Sequence, residues 1–373
     1  MDEGCVYEKR LSRIEQAIRL EPVDRCPVVY SGVAFSPKYM GMSIASFCED
    51  PQVAADVTIA AMDRIGGFDG INAPATGRIT PALATLWLSR VGVPGRDLPS
   101  DSLWQVREEE IMTHADYDTI IEKGWRGFLA GYMPKVIDPK ELKEFIDWSQ
   151  SMTVPMLQRY REHDYVVMCG GLGSIPFEHF CGGRSMEKFY FDLYRIPDKV
   201  QAAMDAAFPE MIDATIGVAK LSGRPGVWLG GWRAASGLLA PKLWDHFVWP
   251  YYLRFANALV NAGLTPVLHW DQDWTRDLVR LQELPSKKCI LNPDGMTDME
   301  EFKKLAGDRM AMMGDVPASL LSTGTPDDVH VYVRKLVSLF NSTGLIISSG
   351  CDIPIDAKPE NVRAMVDAAH ESG

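Results

Sequence analysis

Six short apolar runs, each breaking off into glycine, proline or polar residues, recur through the second half of this chain. Tyr165–Cys169 stops at Gly170-Gly171, Val227–Leu229 at Gly230-Gly231, and Thr265–His269 at Trp270-Asp271. Cys289–Leu291 stops at Asn292-Pro293-Asp294, Met310–Met313 at Gly314-Asp315, and Leu345–Ile347 at Ser348-Ser349-Gly350. A strand covered on both faces reads this way, because neither side meets water.

Helical periodicity fills the gaps. Pro241–Ala262 repeats Leu243, Phe247, Tyr251, Phe255 and Ala258 at helical spacing, with a break expected at Pro250. Thr275 reads as the cap of a helix over Thr275–Leu284. Thr297 with Glu300 reads as a capping box opening Thr297–Leu305. Thr325–Phe340 begins with Pro326 and two aspartates, and Pro359–Glu371 closes the chain.

Strands alternating with helices predict a parallel sheet. With Cys26–Ser31 and Gly67–Ala73 as further candidates, the count reaches eight, the number that closes an α/β (β/α)8 TIM-type barrel. An open doubly wound sheet would carry a glycine turn opening a helix after its first strand. The glycine cluster Gly170-Gly-Leu-Gly173 leads instead to Ser-Ile-Pro. The expectation is one barrel domain over 1–373, preceded by an N-terminal extension. Residues 76–164 break the rhythm and read as a largely helical insertion, placed to act as a lid.

Composition narrows the partners. Lys plus Arg is 38 against 50 for Asp plus Glu, a net charge of −12, which repels phosphate backbones and argues against nucleic acid. No apolar stretch is long enough to span a membrane, and the first residues do not resemble a signal peptide. The expectation is a soluble, cytoplasmic protein, with homo-oligomers left open. The 7 cysteines are scattered without a C-x-x-C pair, so each reads as a small buried apolar residue unless its position says otherwise.

Barrel enzymes react at the C-terminal ends of their strands. Those ends hold His269, Asp271, Asp273, Asn292, Asp294, Asp315, Cys351 and Asp352. Residues i and i+2 of a strand point the same way, so His269 and Asp271 can converge, with Cys351 reaching them from the last strand. An imidazole, a carboxylate and a thiolate suit zinc with one open position. Spacing supports equally a strand-end histidine, a helix-capping Asp271 and an inert thiol. Asp273, Asn292 and Asp315 are candidates for orienting a substrate or a metal ligand, Asp315 equally for capping the turn before Pro317. Of the 10 tryptophans, Trp232 and Trp270 sit at strand ends and are expected to line a pocket for an aromatic substrate, whereas Trp244 and Trp249 read as packing.

These residues also carry a family resemblance. The opening Ala17-Ile-Arg-Leu-Glu-Pro-Val-Asp-Arg-Cys-Pro27 resembles the start of the uroporphyrinogen decarboxylase superfamily. Gly314-Asp-Val-Pro317, Gly324-Thr-Pro-Asp-Asp-Val329 and Ser349-Gly-Cys-Asp-Ile-Pro354 resemble it more closely. The superfamily fold is a (β/α)8 barrel. Its decarboxylases carry an arginine-rich segment that grips porphyrinogen carboxylates, but Tyr30–Tyr39 here contains no arginine.

The other branch, the cobalamin-dependent methyltransferases, holds zinc with a His-x-Cys and a later Gly-Cys. His269 and Cys351 match, and Asp271 stands where the first cysteine would be. A carboxylate there makes the metal a harder Lewis acid, suited to oxygen, unless the metal is lost with the thiolate. The resemblance implies a zinc-dependent methyltransferase of the O-demethylase type. It would move a methyl group from a small methoxylated aromatic donor to the Co(I) corrinoid (cobalamin) of a partner protein, because no Asp-x-His-x-x-Gly corrinoid motif occurs here. The alternatives are a decarboxylase of uroporphyrinogen or a smaller acid, and a non-catalytic barrel that binds a ligand or the corrinoid protein.

Overall fold

The computed structural model describes residues 5–74 and 79–371. Among these residues, eight parallel strands follow one another around a closed barrel. They are β1 (Val29–Tyr30), β2 (Gly70–Ile71), β3 (Val166–Val167, continuing past Met168 as Cys169–Ser174) and β4 (Gly226–Gly231). β5 (Thr265–Trp270), β6 (Ile290–Pro293), β7 (Ala311–Val316) and β8 (Leu345–Ser349) complete the set. Each pairs in parallel with its predecessor, and β1 meets β8 through the bridge Val28–Ile347 and the bond from Ile347 N–H to the Pro27 carbonyl, 2.8 Å. All six runs in the second half and both earlier candidates lie on these strands.

Alternation sorts the side chains. Val29, Val166, Val267, Ile290, Ala311 and Ile346 fill the barrel, and helix α1 (Val6–Ile18) adds Tyr7, Ile14 and Ala17 to the same cluster. The N-terminal extension is therefore a plug over the N-terminal ends of the strands. Leu229, Leu268, Leu291 and Met312 face the other way, into the core shared with the outer helices.

The structure departs from expectation at several local points. β3 runs through the glycines that were expected to end it. A Cβ on Gly170 would lie 1.8 Å from Ser222 Oγ, and one on Gly171 3.1 Å from Ala219 Cβ, so the glycines let a helix press against the strand. That helix is Pro197–Ser222. The same cluster does lead into a helix, Pro176–Arg184, with Pro176 at its first position. Asp298, not Thr297, caps the helix Met299–Ala306, accepting from Glu300 and Glu301 N–H. The Thr297 hydroxyl instead accepts from Trp274 N–H. Thr275 lies inside a 3-10 turn capped by Trp274, and its hydroxyl accepts from Asp298 N–H. The break near Pro250 is present, with helices Pro241–Phe247 and Trp249–Asn261 meeting at Val248.

Between β2 and β3 lie helices α2 (Ile79–Trp87), α3 (His114–Tyr132, interrupted at Gly124) and α4 (Pro139–Glu162). A short antiparallel pair, Val91–Gly92 with Gln105–Val106, was not anticipated in this stretch. Residues 75–78, where the insertion was expected to begin, lie outside the described residues. The buried Arg184 ties this connection to the barrel helices, bonding Asp192 at 2.7 Å, Glu110 at 2.7 Å and the Met112 carbonyl at 2.6 Å. Cys26, Cys169, Cys181 and Cys289 are buried as expected, whereas Cys5 is exposed and Cys48 and Cys351 are half-buried. Among the described residues no helix is long and apolar enough to cross a membrane.

Candidate metal centre

His269 is the fifth residue of β5 and points into the barrel with Val267 two positions earlier. Asp271 follows the strand, and its N–H is held by the Gly231 carbonyl at 2.9 Å. Cys351 follows β8 after Gly350, where a Cβ would lie 2.5 Å from the Asp294 carbonyl group, so only glycine lets the two loops meet. One donor atom from each of His269, Asp271 and Cys351 lies within 4.8 Å of the other two. His269 Nε2 is 3.4 Å from Asp271 Oδ1.

The strand register supplies the support. Asn292 is the β6 partner of His269, and its Oδ1 lies 2.9 Å from His269 Nδ1. The Asn292 amide nitrogen donates to the Met313 carbonyl at 2.7 Å, which fixes the side chain with its oxygen toward the imidazole. An amide oxygen only accepts, so Nδ1 carries the hydrogen and Nε2 is the nitrogen offered to a metal. Asn72 and Cys169 extend the network, Asn72 Nδ2 reaching Asn292 Oδ1 at 3.5 Å and Cys169 Sγ reaching Asn72 at 3.3 Å.

The charges are coupled. Burial opposes a charge on His269, but Asp271 and Cys351 outweigh it and raise the imidazole well above its ordinary value. Burial works against the Asp271 carboxylate too, yet the neighbouring imidazolium holds it low. Burial pushes the Cys351 thiol up, with His269 pulling partly the other way. Two donors thus hold protons that a cation would displace. A neutral imidazole of fixed tautomer and a carboxylate from the end of β5, with a thiolate from the end of β8, fit a divalent cation of the zinc type with a coordination position left open.

Other expected site residues lie elsewhere. Trp270 faces outward, stacked on Trp274 at 4.2 Å and edge-on to Tyr252 at 5.3 Å, because alternation turns it opposite to His269. At 2% exposed it packs barrel against helix and presents no open surface beside His269. Asp273 is exposed and caps a turn, accepting from Thr275 N–H at 2.9 Å. Asp315 turns to the outer helix Pro326–Phe340, where Tyr332 Oη donates to it at 3.0 Å, and burial lifts its carboxyl to about 6. It neither joins the cluster nor caps the turn. Trp232 does stand partly exposed at the end of β4, its ring under the Arg233 guanidinium at 4.1 Å. Trp244 and Trp249 are buried and stacked on each other.

Two further neighbours have roles in the structure that their sequence positions did not assign. Trp228 stacks on the His269 ring at 5.2 Å and 27°, and the pairing of Gly230 with His269 puts it on the barrel's inner face. Asp352 accepts from Val33 N–H at 2.9 Å and Ala34 N–H at 3.4 Å, and burial lifts its carboxyl to about 7. Parity along β4 was a usable signal for Trp228, whereas nothing local marked Asp352 as a link to the loop after β1.

The family model described as uroporphyrinogen decarboxylase (URO-D) matches residues 138–372. The chain belongs to the URO-D family. The match spans His269, Asp271, Asn292 and Cys351. Among curated relatives, the uroporphyrinogen decarboxylase of Syntrophotalea carbinolica is 23% identical over 368 residues, covering 94% of each chain. That of Anaeromyxobacter dehalogenans is 25% identical over 374 residues, covering 97% of this chain and 99% of its own. A solved methyltransferase from Methanosarcina mazei superposes with a TM-score of 0.71 at 17% identity, covering 97% of this chain and 98% of that one. At that identity the likeness shows a shared fold, and this URO-D family member is a TIM-type barrel.

Proposed function

We propose that this chain is a zinc-dependent methyltransferase that takes the methyl group of a small methoxylated aromatic compound and passes it to the Co(I) corrinoid of a partner protein. The observation that carries this reading is the gathering of His269, Asp271 and Cys351 within 4.8 Å, with His269 oriented by Asn292. A methyltransferase with the same fold supports it.

His269, Asp271 and Cys351 would hold the metal. Zinc bound there would supply Lewis-acid polarisation of the oxygen that gives up its methyl group. Asn292 fixes which imidazole nitrogen is offered, and Trp228 restrains the ring by stacking on it. Asp271 brings negative charge in place of a second thiolate, matching the site to an oxygen donor. Trp232, partly exposed at the end of β4, offers an aromatic surface for the donor's ring.

The relatives' name favours decarboxylation of a porphyrinogen instead. That substrate demands cations, and Tyr30–Tyr39 after β1 offers only Lys38, half-exposed and 3.9 Å from Asp101. Metal content decides between the readings. About one zinc per chain, lost in His269→Ala and in Cys351→Ala, together with methyl transfer from a methoxylated arene to added Co(I) cobalamin, is the expected result. A metal-free protein that transfers no methyl group overturns it and brings the decarboxylase forward.

A further inference from the structure

A cavity of about 960 Å³ opens between β3 and the helices α2, α3 and α4, with Pro197–Ser222 closing another side. Its walls include Leu83, Trp125, Leu129, Leu142, Trp148 and Met211. None of His269, Asp271 and Cys351 lines it, so it is separate from the candidate metal centre. The volume is that of a pocket for a drug-sized ligand, and a ligand that covers its apolar walls would remove them from water.

One polar group on that wall is unusual. His179, on the helix Pro176–Arg184, lines the cavity and is only 7% exposed. Its Nδ1 lies 3.2 Å from the Ile175 carbonyl, which can only accept, so Nδ1 carries the hydrogen. Nε2 is left with a lone pair and makes no hydrogen bond among the described residues. Burial pushes the imidazole down to about 4, and the charge of Arg233 adds to this, so the ring is neutral at physiological pH and Nε2 accepts. Trp125 stands edge-on to the ring at 5.6 Å. By contrast the wall hydroxyls of Ser149, Thr153, Thr215 and Ser222 already donate to carbonyls of their own helices.

We propose that this cavity binds an apolar ring compound bearing a hydroxyl or N–H group, which donates to His179 Nε2 while the rings fill the space between β3 and the helices α2 to α4. The inference is independent of the methyl-transfer reading. An acceptor buried among apolar side chains discriminates strongly, because a ligand without a donor leaves it desolvated and unpaired.

The test uses full-length, metal-free protein, so that a phenol cannot bind through a metal, and follows tryptophan emission, to which Trp125 and Trp148 contribute from the wall. The probes are 4-phenylphenol and 4-methylbiphenyl, which share a shape and differ in the donor. Saturable binding with one site per chain and about a tenfold preference for the phenol is expected. In His179→Phe the two should bind within about twofold of each other. Ala82→Phe keeps the histidine but narrows the cavity, and should weaken both by about tenfold or more. Circular dichroism confirms the fold of each variant. If His179→Phe does not fold, the wild-type preference and the Ala82→Phe variant decide. Equal binding of the two probes by the wild type, no saturable binding, a preference that survives in folded His179→Phe, or phenol binding untouched by Ala82→Phe each overturns the proposal.

Discussion

Asn292 Oδ1 sits 2.9 Å from His269 Nδ1, across a pair of adjacent strands whose register places the two residues side by side. The asparagine is held in turn by the Met313 carbonyl one strand further on. Asn292→Leu should keep the barrel folded and weaken zinc affinity by about 10- to 100-fold, the cost of losing the partner that orients a ligating histidine. Competition with a chelator of known affinity measures it. Unchanged affinity would show that His269 needs no such support.

Metal binding should depend steeply on pH. His269 and Cys351 both hold protons more tightly than free side chains do. A cation must displace them, so affinity falls as pH falls, by up to about a hundredfold per pH unit while both are protonated. Calorimetry in buffers of different ionisation enthalpy should count about two protons released. A flat affinity between about pH 6 and 8 would contradict the coupling.

Asp315 gives a stability prediction of the opposite sign to a salt-bridged carboxylate. Its folded-state carboxyl is lifted from 3.8 to about 6, so the folded chain binds its proton more tightly than the unfolded one. Stability therefore rises as pH falls from above 6 toward 3.8, and the penalty is complete above 6. Asp315→Asn keeps an acceptor for Tyr332 and removes the buried charge. It should gain up to about 3 kcal/mol at neutral to alkaline pH, the gain vanishing in acid. Urea denaturation across the pH range measures the difference, and a less stable variant in alkali would refute it.

The two strand-end tryptophans should separate cleanly. Trp270→Ala removes a buried ring stacked on Trp274 and should cost about 3–5 kcal/mol. Trp232→Ala touches a partly exposed ring and should cost under about 1 kcal/mol while raising the KM for an aromatic donor. Denaturation midpoints and steady-state kinetics of both variants provide the check.

The barrel was legible because strands covered on both faces leave unbroken apolar runs; six of these can be counted along the chain, and two weaker candidates, Cys26–Ser31 and Gly67–Ala73, complete the eight. Sites are harder to read, since a strand end shows which residues are near the mouth but not which way each one points. The alternation that brought His269 and Asp271 together also turns Trp270 outward, and that second half of the rule decides its role. Asp315 resisted prediction for a different reason: its partner, Tyr332, lies on a helix later in the chain. Caps slipped by one residue, from Thr297 to Asp298, where two capping residue types adjoin and only tertiary bonds choose between them. His179 carried no sequence signal, because its meaning depends on a cavity built by helices on both sides of it in the chain.

The bond from Val33 N–H to Asp352 spans 319 positions of sequence, next to the seam where β1 meets β8. Cys351 precedes Asp352, so the opening strand helps to place a donor atom supplied near the chain's end. A fragment cut to residues 138–372 would retain all three candidate ligands. It would also lose the staple beside Cys351 and leave β8 as a bare edge, so the geometry of the centre belongs to the closed ring and not to the segment that carries its residues.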